Sequence, residues 1–519
     1  MRLFSMTRSA LLKHFNSHWV YAVLSGALLP FGFAPFHQPG LVFLGLAFFF
    51  NQLSCGLPRS GKSARNQAFK IGFAFGLGYL GFGVSWVFVS IHEYGHLNFL
   101  LSGLITLLFI AYLSLFTGLV AYLYQITASN RSKLACCFIF SATWCLGEYC
   151  RANVLTGFPW MLLGFGQIDT PLKYLLPIIG VYGVGFLTCL AASCLAIITQ
   201  EAKLKQFPWL FAFVIILIAP TVLKHISWTE QQNTPVSVGI IQANLSMRDK
   251  WDEALFLDLV GYYKKETEKL MGEKQLVVMP ESAIPAPESY VSDFLDAIHQ
   301  KGMASKTSVL LGIPEETSRD IYYNSLVALG MANGSYQKKH LVPFGEFIPK
   351  PFQQLINWLA IPITNITSGQ QHQPLVQVNK HPIATLICYE IAYPNLLREQ
   401  LPDAEWIVSI SDDGWFGHSF AMYQQLQMAQ VLSIQTGRYQ VVANNDGLSS
   451  VINTHGTIMH SLPAYKAGIL ESSIIPATGA TPWVIWGDGL ALGFALIILF
   501  SAFSLKLSPF VNRRMAHNE

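Results

Sequence analysis

The feature that most limits how this chain can fold is a nearly continuous apolar stretch from about His18 to Lys224, broken only by short polar punctuation. A helix needs roughly 20 apolar residues to cross a bilayer. Candidate spans are Ile71–Ile91, Phe99–Tyr124, Leu134–Cys150, Leu175–Thr199 and Trp209–Leu223. Pro30, Pro35 and Pro39 split His18–Leu53, which reads as two spans or as a re-entrant pair; either returns the chain to its starting side. From about Thr234 to Thr478 the pattern becomes that of a mixed soluble domain, and a last apolar run, Trp483–Leu505, precedes a polar tail. Composition agrees. Only 12% of residues are charged, about half the share in an ordinary soluble protein, because lipid-facing surface needs no charge. The net charge of +3 is too small to indicate a nucleic-acid partner.

The expected organisation is an N-terminal transmembrane domain over 1–233 with about seven spans, an inserted domain over 234–478, and a C-terminal helix and tail over 479–519. Basic residues gather on cytoplasmic loops, and here they fall on every second loop. They are Arg2, Arg8 and Lys13; Arg59, Lys62, Arg65 and Lys70; Arg131 and Lys133; Lys203 and Lys205; and Arg513 and Arg514. The intervening loops, around His92–Asn98 and Glu148–Trp160, hold only Arg151. With about eight spans this alternation puts both termini in the cytoplasm and the insert outside.

Within the insert, β-rich runs alternate with helical patterns, the signature of a layered α/β fold. Expected strands are Val236–Gln242, Leu276–Met279, Val309–Ile313, Ser325–Leu329, Ala384–Cys388, Trp406–Ile410, Tyr439–Ala443 and Ser450–Asn453. Expected helices are Asp252–Met271, Ser292–Gly302 and Ala421–Thr436. Open α/β sheets place their sites just beyond strand ends, and three chemically suggestive residues fall there.

Glu281 follows the apolar run Val277–Met279 and is fenced by Pro280 and Pro285. It reads either as a solvated turn acid or as a partly desolvated carboxylate suited to general-base work. Lys338 and Lys339 run straight into the Pro/Gly-shaped apolar segment Leu341–Pro349, which would bury them. A buried lysine can hold a nucleophile as its anion and stabilise a developing oxyanion. Cys388 ends a strand and is followed by Tyr389 and Glu390. Of eight cysteines it alone lies in the polar part of the chain, so that part has no internal disulfide. A lone cysteine is often an inert core residue, but Cys, Lys and Glu at strand ends together supply nucleophile, charge stabiliser and proton shuttle for acyl transfer.

Glu, Lys and Cys in this order resemble the nitrilase superfamily. The longer strings Met279–Ser282, Lys338–Pro349, Ile387–Glu390 and Ser411–Gly417 resemble the apolipoprotein N-acyltransferase family, as do Ser85–Val87 and Thr156–Trp160 in the apolar part. The resemblance covers nearly the whole chain. It implies an α-β-β-α sandwich of nitrilase type for the insert, a bacterial inner-membrane location with the insert periplasmic, and no cofactor or metal. The implied reaction moves an acyl chain from a phospholipid to the N-terminal amine of a diacylglyceryl-cysteine apolipoprotein. By the same resemblance Cys388 is the nucleophile, Glu281 the base and Lys338 the stabiliser. Glu346, Tyr389, Glu390 and Trp251 are accessory. Lys338 is preferred over Lys339 because the family pattern is Lys-x-x-Leu-Val-Pro-Phe-Gly-Glu. Two positions depart from the family: Asp412 stands where members usually carry Asn, and Gln425 where many carry His.

Other readings are weaker. His92-Glu93-Tyr94-Gly95-His96 matches the two-histidine zinc signature, but that signature needs a continuous helix, and this string holds a glycine. A transporter would place ionisable groups in mid-membrane, where the candidate spans carry essentially none apart from Glu148 near one end. A membrane-tethered amidase with water as acceptor would need one anchor, not about eight spans.

Overall fold

The computed structural model describes residues 8–58, 61–95, 97–318, 321–349, 354 and 366–515. Arg2, Arg59 and His96, which entered the topology and zinc readings, lie outside the described residues. The chain forms two compact units, one from Met1–Ile226 with Trp486–Glu519 and one from Ser227–Ile485.

The first unit is helical. Among the described residues three helices are long and apolar enough to cross a membrane: Phe99–Thr127, Pro171–Ile198 and Lys203–His225. A fourth would be Lys62–Gly83 with Val87–Tyr94, a pair bent by 65°. That is fewer than the expected eight, and the reasons are physical. Pro39–Cys55 has 17 residues, about 25 Å of helix, which falls short of the roughly 30 Å hydrocarbon core. Leu134–Cys150 lies within the helix Lys133–Asn153, which carries Glu148 and Arg151 as well as apolar residues. His18–Leu53 contributes to two helices, Arg8–Ala27 and Pro39–Cys55, separated by a 3-10 turn at Leu29–Gly32. Pro39 opens the second helix, where a missing N–H removes no hydrogen bond.

Glu148 and Arg151, assigned above to a loop, are buried on the last turns of that helix. Glu148 Oε1 accepts the Leu163 N–H at 2.9 Å. Arg151 Nη1 donates to the carbonyls of Phe158 at 2.9 Å and Trp160 at 2.7 Å. The string Thr156–Trp160 is therefore folded back onto its own helix, with Gly157 supplying the turn at φ 78°. It also meets the other apolar string: the rings of Trp86 and Trp160 lie 5.0 Å apart. His92 Nδ1 is 2.8 Å from the Leu97 carbonyl.

The second unit holds two larger sheets. One runs in the order Gly468–Ile474, Val236–Gln242, Leu276–Val278, Ser308–Ser318, Ile321–Gly330, Ser335–Gln337. The other runs Ile458–Ser461, Ser450–Ile452, Gln440–Asn444, Trp406–Ser411, His381–Ile387, Val376–Val378, Ala332–Asn333. Each has a core of three parallel strands: Val236–Gln242, Leu276–Val278 and Ser308–Ser318 in the first, His381–Ile387, Trp406–Ser411 and Gln440–Asn444 in the second. The flanking strands are antiparallel. Trp406–Ser411 and Gln440–Asn444 are buried throughout, as strands covered on both faces must be.

The helix Phe256–Leu270 buries Leu259, Tyr263, Thr267 and Leu270, one stripe at helical spacing. Leu259, Tyr263 and Leu270 join a core with Val277, Met279 and Val309 from the first sheet. The two ends of the unit are fastened together. Glu230–Gln231 pairs antiparallel with Ala477–Thr478, Gln232 N–H donates to the Pro476 carbonyl at 2.8 Å, and buried Arg438 donates to the Gly479 carbonyl at 2.7 Å.

Candidate active site

Parallel strands release their next residues at one end of a sheet, and both sheets place site residues just past their parallel strands. Val236–Gln242 leads into the segment with Lys250 and Trp251; Leu276–Val278 leads to Glu281; His381–Ile387 to Cys388; Trp406–Ser411 to Asp412; and Gln440–Asn444 to Asn445. Lys338 follows the antiparallel edge strand Ser335–Gln337.

Lys338 is 1% exposed. Its Nζ lies 3.3 Å from Glu281 Oε1 and 2.9 Å from Glu346 Oε1. Lys339 turns away and pairs with Glu399 at 3.0 Å. Asn324, which the sequence did not single out, bridges the same two carboxylates: its Nδ2 is 2.7 Å from Glu281 Oε1 and 2.9 Å from Glu346 Oε1. The other oxygen of each carboxylate takes a main-chain N–H, from Asp412 to Glu281 Oε2 at 3.0 Å and from Val342 to Glu346 Oε2 at 2.7 Å. The Pro/Gly segment thus curls so that Glu346 returns to its own turn, with Phe344 at φ 64°.

Cys388 is buried, at φ 53°, in a left-handed conformation that non-glycine residues adopt sparingly. The strand stops there, and a 3-10 turn runs on to Ala392. Burial pushes the Cys388 thiol well above its usual pKa; the charge of Glu281 adds to this, and that of Lys338 opposes it. Burial also works against the Lys338 ammonium, but Glu281 and Glu346 outweigh it and raise its pKa well above the ordinary value. The sequence suggested that Lys338 could hold a thiolate. In the structure two carboxylates face that lysine, and burial favours the neutral form of the Cys388 thiol while the lysine's charge favours the thiolate.

The accessory positions divide. Glu346 touches Lys338 directly. Glu390 is fully buried and accepts N–H bonds from Ile387, Lys339 and His340 at 2.9, 2.7 and 3.0 Å, with the Tyr336 hydroxyl at 3.1 Å. It therefore braces both the turn at Cys388 and the segment carrying Lys338. Burial raises its carboxyl pKa. Tyr389 is buried, and its hydroxyl accepts from that of Tyr393 at 3.1 Å. Trp251 is 54% exposed at the end of the short helix Met247–Lys250.

Gln425 donates to Ser411 Oγ at 3.0 Å, and Ser411 Oγ donates to Asp413 Oδ1 at 2.8 Å. Burial pushes Asp413 up to about 7. Burial, then the charges of Asp412 and Asp413, push Asp446 up to about 8.

The Carbon-nitrogen hydrolase family model matches residues 237–481, the two-sheet α/β unit that holds Glu281, Lys338 and Cys388 at its strand ends. The model of the Apolipoprotein N-acyltransferase N-terminal domain matches residues 25–194. An apolipoprotein N-acyltransferase of Coxiella burnetii is 35% identical, covering 93% of this chain and 99% of that protein. One from Methylococcus capsulatus is 34% identical, covering 93% and 95%. The chain belongs to the apolipoprotein N-acyltransferase family. Among solved structures, a carbon-nitrogen hydrolase from Helicobacter pylori G27 is similar at a TM-score of 0.37 and 14% identity, covering 46% of this chain and 89% of that one.

Proposed function

We propose that this protein moves an acyl chain from a membrane phospholipid to the N-terminal amine of a diacylglyceryl-cysteine apolipoprotein, through a thioester on Cys388. The observation that carries the reading is the contact of buried Lys338 with Glu281 beside a thiol that burial keeps protonated. In the first half, Cys388 Sγ attacks the ester carbonyl and its proton passes to Glu281. The C–O bond breaks, and Glu281 returns the proton to the departing lysophospholipid. In the second half the acceptor amine attacks the thioester, Glu281 takes its proton, and the C–S bond breaks to restore the thiol. Lys338 stabilises the oxyanion of each tetrahedral intermediate. Glu346 and Glu390 hold Lys338 and the turn at Cys388, and Tyr389 and Trp251 serve substrate placement.

Both substrates are bulky and lipid-anchored, so a covalent intermediate lets them visit in turn, a ping-pong order. The reading includes about eight spans, domains at 1–233, 234–478 and 479–519, an α-β-β-α sandwich in the second, and an inner-membrane protein with that domain periplasmic and both termini cytoplasmic.

The deciding experiment is mass analysis of a lipoprotein N-terminus after incubation with purified enzyme and phospholipid. An added acyl chain on the N-terminal cysteine is expected. Continuous fatty-acid release with no transfer would make the protein a hydrolase instead.

A further inference from the structure

Lys250 has no part in the chemistry above, yet it is only 3% exposed, one residue before the exposed Trp251. Its ammonium donates to the main-chain carbonyl of Glu281 at 2.9 Å and pairs with the carboxylate of Asp412. Asp412 in turn gives its own N–H to Glu281 Oε2 at 3.0 Å. One buried ion pair therefore grips Glu281 twice, at its backbone and at its carboxylate.

Asn445 closes the frame from the next strand. Its Nδ2 donates to the Leu245 carbonyl at 2.8 Å and lies 3.3 and 3.4 Å from the Asp412 oxygens, while its Oδ1 accepts the Leu245 N–H at 3.1 Å. Asp412 Oδ1 also takes the Gly414 N–H at 3.2 Å. Burying two charges carries a desolvation penalty, and removing one partner strands the other. Such a pair is a poor source of net stability, but it imposes one geometry on what it touches.

We propose that Lys250 and Asp412 are positioning residues for the reaction: they hold the Glu281 carboxylate where it serves Cys388 and tie the segment bearing Trp251 to that place. The inference rests on the reading of Glu281 as base and Cys388 as nucleophile. Lys250 reaches the reacting atoms only through Glu281, so its effect falls on the rate of the chemical step.

The test is pre-steady-state acylation of the full-length enzyme in mixed phosphatidylethanolamine and phosphatidylglycerol micelles, without acceptor, at saturating donor. Burst amplitude counts folded sites; the rate constant reports the geometry within each one. Lys250→Met is expected to acylate Cys388 about a hundredfold more slowly per active site, the scale of a small misplacement of a catalytic group. Asp412→Asn keeps the main-chain N–H to Glu281 but loosens Lys250, and is expected to be about tenfold slower. A fall in amplitude with unchanged rate constants would reduce the pair to a structural brace and overturn the proposal. Should Lys250→Met not fold, the rate constant of Asp412→Asn decides alone. Wild-type enzyme that forms no acyl-cysteine would sink the underlying reading rather than this inference.

Discussion

The two units each bury a cluster of charge, and they treat it differently. In the helical unit, Glu148 accepts a main-chain N–H and Arg151 donates to two main-chain carbonyls, all from the segment that follows their helix. In the α/β unit, Lys338 meets two carboxylates while the thiol of Cys388 feels the charges of Glu281 and Lys338. A charge matched by backbone groups fixes a loop, because neither partner can exchange it. Charges matched by one another beside a thiol can respond when a proton moves. Burial alone therefore does not set the two clusters apart; the kind of partner does.

Variants can break this contrast, and the largest effect belongs to the thiol. Cys388→Ala is expected to abolish the acyl-enzyme completely, read as the loss of a hydroxylamine-labile mass increment on the intact protein. Glu281→Gln keeps the shape but removes the base, and the acylation rate should fall by about a hundredfold or more; wild-type turnover would remove Glu281 from the mechanism. In the helical cluster the effect should move from rate to stability. Arg151→Met leaves the Phe158 and Trp160 carbonyls unmatched, with an expected loss of roughly 2 kcal/mol or more in thermal unfolding of detergent-solubilised protein. Its rate constant per folded site should stay near that of wild type, and a rate loss on the scale of Glu281→Gln would erase the distinction.

Acidity sharpens the comparison within the α/β unit. Burial lifts Asp413 from an ordinary 3.8 to about 7, so folding favours its protonated form. Its contribution to stability is fully present below about pH 3.8 and is lost as pH rises toward 7, by up to about 1.4 kcal/mol per unit. Asp413→Asn should flatten that decline in unfolding curves taken between pH 5 and 7; an unchanged slope would place the titration elsewhere. The smallest effect is expected of Lys339→Ala. Its ammonium faces Glu399 and not the Glu281 cluster, so activity should change by less than about twofold, the scale of an ion pair open to solvent on one side.

Much of this site was visible in the chain because strand ends are visible. Val236–Gln242 and Ala421–Thr436 form with the expected bounds, and Glu281 and Cys388 stand just past apolar runs too short and β-branched to be anything but strands. Lys338 and Lys339 stood out together and the family resemblance chose between them; of the segment expected to bury them only Leu341 is itself buried, and Phe344 is exposed. Lys250 and Asn324 carried no such sign. Lys250 sits among polar neighbours and looks like solvated surface, and contacts with residues 31 and 162 positions away hold it. Asn324 sits in an apolar and aromatic strand, Ile321–Gly330, where a polar residue gives no sign of the two carboxylates it meets. Gly468–Ile474 was missed for a related reason: its partner, Val236–Gln242, lies more than two hundred residues earlier. Fewer helices than the expected eight spans are long and apolar enough to cross a membrane among the described residues, and the run Leu134–Cys150 lies in a helix that also carries the charges of Glu148 and Arg151.

The fastening of the second unit's two ends has a mechanical consequence. Glu230 faces Thr478 and Gln231 faces Ala477 in an antiparallel pair, so the chain enters and leaves this unit at a single clasp. Any tug on the flanking segments is borne first by that clasp, by the link from Gln232 to Pro476, and by Arg438 on Gly479. Glu281, Lys338 and Cys388 follow other strands, Leu276–Val278, Ser335–Gln337 and His381–Ile387. The two ends of the unit are thus held to each other by bonds separate from those among Glu281, Lys338 and Glu346.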